Sequence, residues 1–248
     1  MKYIVILMGL FSFFNTHAQI ERVEPPFWWE GMHYAEVQVL LYGKNIAQYR
    51  VESDLPITNV LKTENPNYLF VTIDTKGKKA GNYSISLLQK NKKVANVAYE
   101  LKHRREGSAL RKGFDSSDVI YLLMSDRFAN GNPNNNSHLA LTDKLNREAS
   151  DGRHGGDIQG IINHLDYIQT LGATAIWHTP LCEDNEPQHS YHTYAQTDVY
   201  KIDPRYGTNE EYVQLSKALH KRGMKLIKDY VTNHWGSQHW LVKDLPCY

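Results

Sequence analysis

The sequence predicts a two-part fold: an immunoglobulin-like β-sandwich over residues 19–103, then the first three β/α units of a (β/α)8 barrel over 118–248, with a linker at 104–117. Three observations predict it. Apolar residues alternate in short runs through the first part. After Gly113 the pattern changes to short apolar runs and helical periods in the order βαβαβ. The long loops of that second part follow strands, while helices run into the next strand almost at once.

Composition narrows the class. The 248-residue chain is 41% hydrophobic and 22% charged, which excludes a disordered tail, a collagen repeat and a multi-span membrane protein. Lys and Arg total 28 and Asp and Glu 27, for a net charge of +1 with no basic stripe, so no nucleic-acid partner is expected. Sixteen tyrosines suit β-strands and also surfaces that stack on flat ligands. Cys182 and Cys247 are the only cysteines, too few for a disulfide framework. Lys2, the apolar run Ile4 to Phe14 and Thr16-His17-Ala18 read as a signal peptide over residues 1–18, cleaved before Gln19. A membrane span needs about 18 apolar residues or more, and this run is shorter. The expected product is periplasmic or secreted, with no membrane attachment after cleavage.

Each element follows from its own pattern. Val37, Val39 and Leu41 alternate, as do Leu69, Val71 and Ile73, and Tyr83, Ile85 and Leu87, which marks three half-buried strands. Asn91-Lys92-Lys93 reads as the hairpin turn before a strand over Val94 to Leu101. Short strands with frequent turn signals make a sandwich. His103 to Gly113 is polar, basic and glycine-containing, hence a linker. Val119 to Met124 is a buried strand. Ile158, Ile161, Ile162, Leu165, Ile168 and Leu171 form one helix, ended by Gly172. Ala173 to Trp177 is a second buried strand. Thr208 and Glu211 open a helix as a capping box, Tyr212, Leu215 and Leu219 face inward, and Gly223 ends it. Met224 to Val231 is the third strand. The βαβαβ order predicts parallel strands. Strand-to-helix loops of about 30 residues, at 125–157 and 179–208, point to a barrel that carries its site on the C-terminal face. A doubly wound sheet is the runner-up, but Ser125-Asp126-Arg127-Phe128 replaces the phosphate-binding glycines such a sheet carries there.

The loops hold the chemistry. Five of the seven residues from Asn130 to Asn136 are Asn, and Gly155-Gly156-Asp157 follows. This is either a turn-rich surface loop or a calcium site, since hard cations take amide and carbonyl oxygens. An EF-hand is excluded by the missing acids. In the second loop, His192 and Tyr194 share a face if the stretch is extended, and a tyrosine there either stacks on a sugar ring or packs the loop on the rim. Zinc on His189 and His192 is a weaker reading. Asp229-Tyr230-Val231-Thr232-Asn233-His234 brings a carboxylate, an amide and an imidazole to the end of a strand, where barrel chemistry sits.

Together these segments resemble the α-amylase family of glycoside hydrolases. Val119 to Asn136 is similar to its first strand and calcium loop, Gly155 to Gly160 to its second calcium segment, and Asp229 to His234 to its Asp-x-x-x-Asn-His region. Tyr191-His192-Thr193-Tyr194, Asp198, Asp203-Pro204 and Tyr206-Gly207-Thr208 resemble its His-Gly-Tyr region, with Thr193 in place of Gly. The β module, with Pro25 to Trp29 and Leu41-Tyr42-Gly43, is similar to the N-terminal domain of cyclomaltodextrinases and neopullulanases, above all those of bacterial starch-utilisation systems. The resemblance implies a retaining hydrolase of α-1,4-glucosidic bonds in starch, pullulan or maltooligosaccharides. It implies Ca2+ bound by Asn130, Asn132, Asn135, Asn136, the Gly155 carbonyl and Asp157. It implies that His192, Tyr194 and His234 bind the sugar and that Asp229 orders the site. The expected partner is an α-glucan, and a homodimer through the N-terminal domain is the expected self-association. Trp28 and Trp29 are expected to anchor the core of the module. The family's nucleophile and acid come from later strands, and 131 residues from Asp118 to Tyr248 fall short of the about 250 of a full barrel. The expectation is therefore an N-terminal fragment, inactive alone. The alternative is a non-catalytic α-glucan-binding protein or a decayed gene product.

Overall fold

Strand periodicity builds the first unit. In the computed structural model, which describes residues 19–247, the chain divides into a unit ending at Leu110 and a unit spanning Arg111–Leu245. Among the described residues the first contains eight strands: β1 (Arg22–Glu24), β2 (Phe27–Trp29), β3 (Glu36–Tyr42), β4 (Arg50–Ser53), β5 (Ile57–Lys62), β6 (Tyr68–Asp74), β7 (Gly81–Gln89) and β8 (Lys92–Lys102). They form two four-stranded sheets, ordered β1-β3-β6-β5 and β2-β8-β7-β4. All pairings are antiparallel except β2 with β8. The alternating residues Val37, Val39, Leu41, Leu69, Val71, Ile73, Ile85 and Leu87 turn inward and are buried in one core with Tyr99 and Leu101. Trp28 packs against that core, while Trp29 stacks edge-on with Phe27. The hairpin turn differs from expectation by one position. It is Lys90-Asn91, both at positive φ, and Lys92 and Lys93 already belong to β8. Two left-handed residues match the twist of a two-residue hairpin, and this pair supplies them.

The second unit follows β9 (Ile120–Leu123), α1 (Ser125–Phe128), α2 (Ile158–Asn163), α3 (Leu165–Thr170), β10 (Ala175–His178), β11 (Cys182–Glu183), β12 (Asp198–Ile202), α4 (Asn209–Lys221), β13 (Lys225–Lys228) and α5 (Trp240–Lys243). β9, β10 and β13 form a parallel sheet with β10 in the middle, as the βαβαβ order requires. The helices cover one face: Ile158, Ile161, Leu165, Ile168, Leu215 and Leu219 are buried with Leu123 and Ile176. The capping box of Thr208 and Glu211 is formed, and Gly172 and Gly223 end their helices at positive φ.

Four expectations are corrected. The helix expected from Ile158 to Leu171 is two, broken at His164 (φ −115°, ψ 15°). The His164 ring Nδ1 lies 2.8 Å from the Gly160 carbonyl, where a continuing helix would place the backbone N–H of the same residue. The expected buried strand Val119 to Met124 is exposed on one side, with Leu122 63% accessible, because the helices cover only the opposite face. The third strand ends at Lys228 rather than Val231, so Asp229 stands just beyond it instead of inside it. The second strand likewise runs on to His178.

Candidate functional site

The C-terminal ends of β10 and β13 and the loop between β11 and β12 bring four predicted residues together. Strand β13 delivers Asp229, and its Oδ2 accepts from the Tyr194 hydroxyl at 3.0 Å and from the Trp177 indole N–H at 3.2 Å. Among the described residues no donor reaches Oδ1. The Tyr194 phenol is held above its ordinary pKa, by burial first and then by the hydrogen bond to Asp229, so it stays a donor. Tyr194 and Trp177 are still 40% and 41% accessible, which leaves ring surface for a ligand.

His234 closes the group. Its Nε2 lies 3.0 Å from the Tyr194 carbonyl, which only accepts, so this nitrogen carries the proton. Nδ1 is then the acceptor for the Asn233 amide at 3.3 Å. His192 packs its ring 5.5 Å from that of Tyr194 and accepts the Tyr194 backbone N–H on Nδ1 at 3.1 Å. Burial, then the neighbouring His189, lowers the His192 pKa and keeps the ring neutral. The two rings do not meet through an extended stretch. Ser190–His192 is a 3-10 turn, and Thr193 is left-handed at φ 54°. A β-branched residue is costly there. Thr193 is buried and its hydroxyl donates to the Pro180 carbonyl, a bond that offsets the cost of the conformation. His189 pairs at 3.5 Å with Asp151, and no cluster of three His, Cys, Asp or Glu fit to hold a metal occurs among the described residues.

Several residues to which the sequence assigned no role of their own position this loop. Asp203 and Arg205 form a fully buried pair at 2.6 Å; burial opposes the Asp203 charge, and Arg205 outweighs it. Arg205 also donates to the carbonyls of Asp143 and Asp184. Arg153, fully buried against the Tyr206 ring, donates to the Ser190 carbonyl at 2.8 Å and so ties the first long loop to the second. His178 is buried, its Nδ1 2.7 Å from the Thr179 carbonyl and its Nε2 2.9 Å from the Tyr212 hydroxyl, and burial lowers its pKa. The partners that join separate loops, Arg153 with Ser190 and Arg205 with Asp143 and Asp184, lie far apart in sequence, and only the alternation of short and long loops hints at them.

The first long loop gathers the predicted calcium ligands. Asp157 caps α2. Its Oδ1 accepts from Gly131 N at 3.0 Å and Gly160 N at 2.6 Å, and its Oδ2 accepts from Asn132 N at 2.8 Å. Asn130 donates to Asn136 Oδ1 at 2.7 Å, and Asn132 Oδ1 caps the following turn through Asn134 N. Gly155 has φ +84°, and a Cβ there would stand 2.5 Å from Asn136 Oδ1. Asn135 Oδ1 is buried with no hydrogen-bond partner among the described residues. A buried, unpaired amide oxygen in a loop rich in further amide oxygens fits a hard cation.

The comparisons with known proteins fall on the same segments. The family described as "Alpha amylase, catalytic domain" matches residues 122–245, half of the chain, and "Cyclomaltodextrinase, N-terminal" matches residues 22–105. Neopullulanase 2 of Thermoactinomyces vulgaris is 31% identical over 184 residues, 74% of this chain and 31% of its own length. The beta/alpha-amylase of Paenibacillus polymyxa is 41% identical over 123 residues, 49% of this chain and 10% of its own length. A solved Anoxybacillus α-amylase is 42% identical, covering 51% of this chain and 26% of that one at a TM-score of 0.45. The chain thus spans between about a tenth and a third of the curated relatives it matches. With a cyclomaltodextrinase-type N-terminal domain followed by part of an α-amylase catalytic domain, and with Tyr194, Asp229 and His234 all inside the matched stretch, the chain belongs to the α-amylase family of glycoside hydrolases and is neopullulanase-like.

Proposed function

We propose that the second unit supplies the first three units of a (β/α)8 barrel and that its strand ends bind the glucose unit of an α-glucan. One observation carries this reading. Tyr194, hydrogen-bonded to Asp229, also touches His234 through its carbonyl and His192 through its ring, and its own ring and that of Trp177 stay accessible. Tyr194 stacks on a sugar face, His234 and His192 contact its hydroxyls, and Asp229 orders them. The reaction proposed for the whole protein is retaining hydrolysis of α-1,4 bonds in starch, pullulan or maltooligosaccharides. Asn130, Asn132, Asn135, Asn136, the Gly155 carbonyl and Asp157 would hold Ca2+, whose charge would fix the long loop. The reading of residues 1–18 as a signal peptide lies outside the described residues and stands as a proposal of export to the periplasm or medium.

We infer that residues 1–248 release no sugar by themselves. Retaining hydrolysis needs a carboxylate nucleophile and a carboxylic acid about 5–5.5 Å apart on one bond. Asp229 cannot fill both roles. Asp126, also just past a strand, is buried and taken up by Arg127 and by the N–H groups of His154 and Gly155. Reducing-sugar release from pullulan and maltooligosaccharides is the test, with maltoheptaose binding measured alongside. Expected are binding that Tyr194→Ala weakens about tenfold, the scale of one lost stacking contact, and no turnover. Turnover that Asp229→Ala abolishes would overturn the inactivity. An absence of binding would overturn the sugar site.

A further inference from the structure

Tyr194 and His234 lie on different loops, which are joined by the His234 contact with the Tyr194 carbonyl and by a second set of contacts that involves neither residue. Glu186 sits near the start of the loop that carries Tyr194. Its Oε2 accepts from the Ser237 hydroxyl at 2.8 Å and its Oε1 from the Gln238 backbone N–H at 2.9 Å. One carboxylate thus spans 51 and 52 residues of chain. Beside it, Gly236 N donates to the Gln196 carbonyl at 2.9 Å. A Cβ on Gly236 would strike the Ala195 carbonyl and stand 2.9 Å from Glu186 Oε1, so the two backbones meet with no room for a side chain. Glu186 is itself fixed. Its N–H donates to Asp184 Oδ1 at 3.0 Å, while Asp184 Oδ2 accepts from Ala195 N at 3.2 Å, which closes the Tyr194 loop on itself.

The geometry points to Glu186 as a positioning residue that clamps the His234 loop onto the Tyr194 loop and so sets the spacing of the two sugar-facing groups. Its role rests on the glucan reading; the clamp does not. The carboxylate acts through Ser237 and Gln238, and the readout of its action is the His234 Nε2 contact with the Tyr194 carbonyl. A charged acceptor matters less than an acceptor in place, because one oxygen at the Oε1 position already holds the Gln238 N–H. Gln at 186 can supply that oxygen and can donate to the Ser237 hydroxyl in return.

The experiment uses the full chain and compares wild type, Glu186→Ala, Glu186→Gln and Ser237→Ala. Three quantities are read: hydrogen exchange at the Gly236 and Gln238 amides, the 15N signals of the His234 ring, and maltoheptaose affinity. For Glu186→Ala, exchange at both amides should quicken about tenfold and affinity should fall about tenfold, the scale of one lost hydrogen bond to a charged group. The His234 ring should lose its single Nε2-protonated signature. Glu186→Gln should restore most of all three, and Ser237→Ala should give a smaller loss at the same positions. If Glu186→Ala does not fold, the graded pair Glu186→Gln and Ser237→Ala decides. Unchanged exchange and an unchanged His234 signal would overturn the clamp. A broken clamp with unchanged affinity would overturn the positioning role. Wild type that binds no maltoheptaose refutes the sugar reading instead, and exchange still decides the clamp.

Discussion

Asp184 is buried, and among the described residues its carboxyl oxygens accept only from the backbone N–H groups of Glu186 and Ala195. Burial pushes its pKa up to about 7; the two N–H groups and Arg205 pull down, and Asp203 pushes up. The folded pKa lies above the ordinary value of 3.8, so the fold favours the protonated acid. The stability tied to that proton is complete below the unfolded pKa and is lost as pH rises through about 7. A shift of this size sets a ceiling on the order of 4 kcal/mol. Asp184→Asn cannot ionise. The gap in unfolding free energy between wild type and variant should therefore move in favour of the variant from roughly pH 4 to pH 8; parallel stability curves would contradict this. Nothing around Asp184 in the sequence marks it, because the Asp203 and Arg205 that surround it come from beyond β12. Asp229 stands just past a strand end, where position implies chemistry, whereas the roles expected of Tyr194 and His234 came from the resemblance to the α-amylase family, since both lie out on loops.

The long loop between α1 and α2 is the element whose ligand state matters most. Its Asn-rich segment is readable as composition, but the sequence leaves open whether those amides bond each other or an ion. Both features occur: Asn130 bonds Asn136, while Asn135 Oδ1 has no partner among the described residues. Calcium should slow proteolysis between residues 130 and 157 compared with chelator. Asn135→Ala should remove that protection. Asp157→Ala should remove it too, while also deleting the cap of α2 at a cost of about 1 kcal/mol, which makes Asn135→Ala the cleaner variant. Equal cleavage with calcium and chelator would contradict the site. The break between α2 and α3 was not legible, because apolar spacing runs unbroken through it and the competing bond belongs to the His164 side chain.

The two units have separate buried cores, one of Val39, Leu41, Val71 and Ile85, the other of Ile158, Ile176, Leu215 and Leu219. Alternation at period two and helical spacing were enough to separate them in the sequence. Burial of the first strand of the second unit was not, because an apolar run does not say which of its faces finds cover. Residues 19–110 alone should therefore unfold in one cooperative transition with native-like circular dichroism. Residues 111–245 alone should bind a hydrophobic dye through Val119, Leu122 and Trp177, all accessible at the sheet. A non-cooperative first fragment or a dye-silent second one would contradict this division.

Asp229 is tethered through one oxygen, and that asymmetry has a kinetic consequence. Tyr194 and Trp177 both load Oδ2, while no donor among the described residues takes the lone pairs of Oδ1. A hydroxylated visitor can bond Oδ1 without first dislodging either ring. No internal contact has to break before encounter, so arrival should follow a single exponential whose rate climbs linearly with ligand concentration, with no plateau set by a slow opening of the pocket.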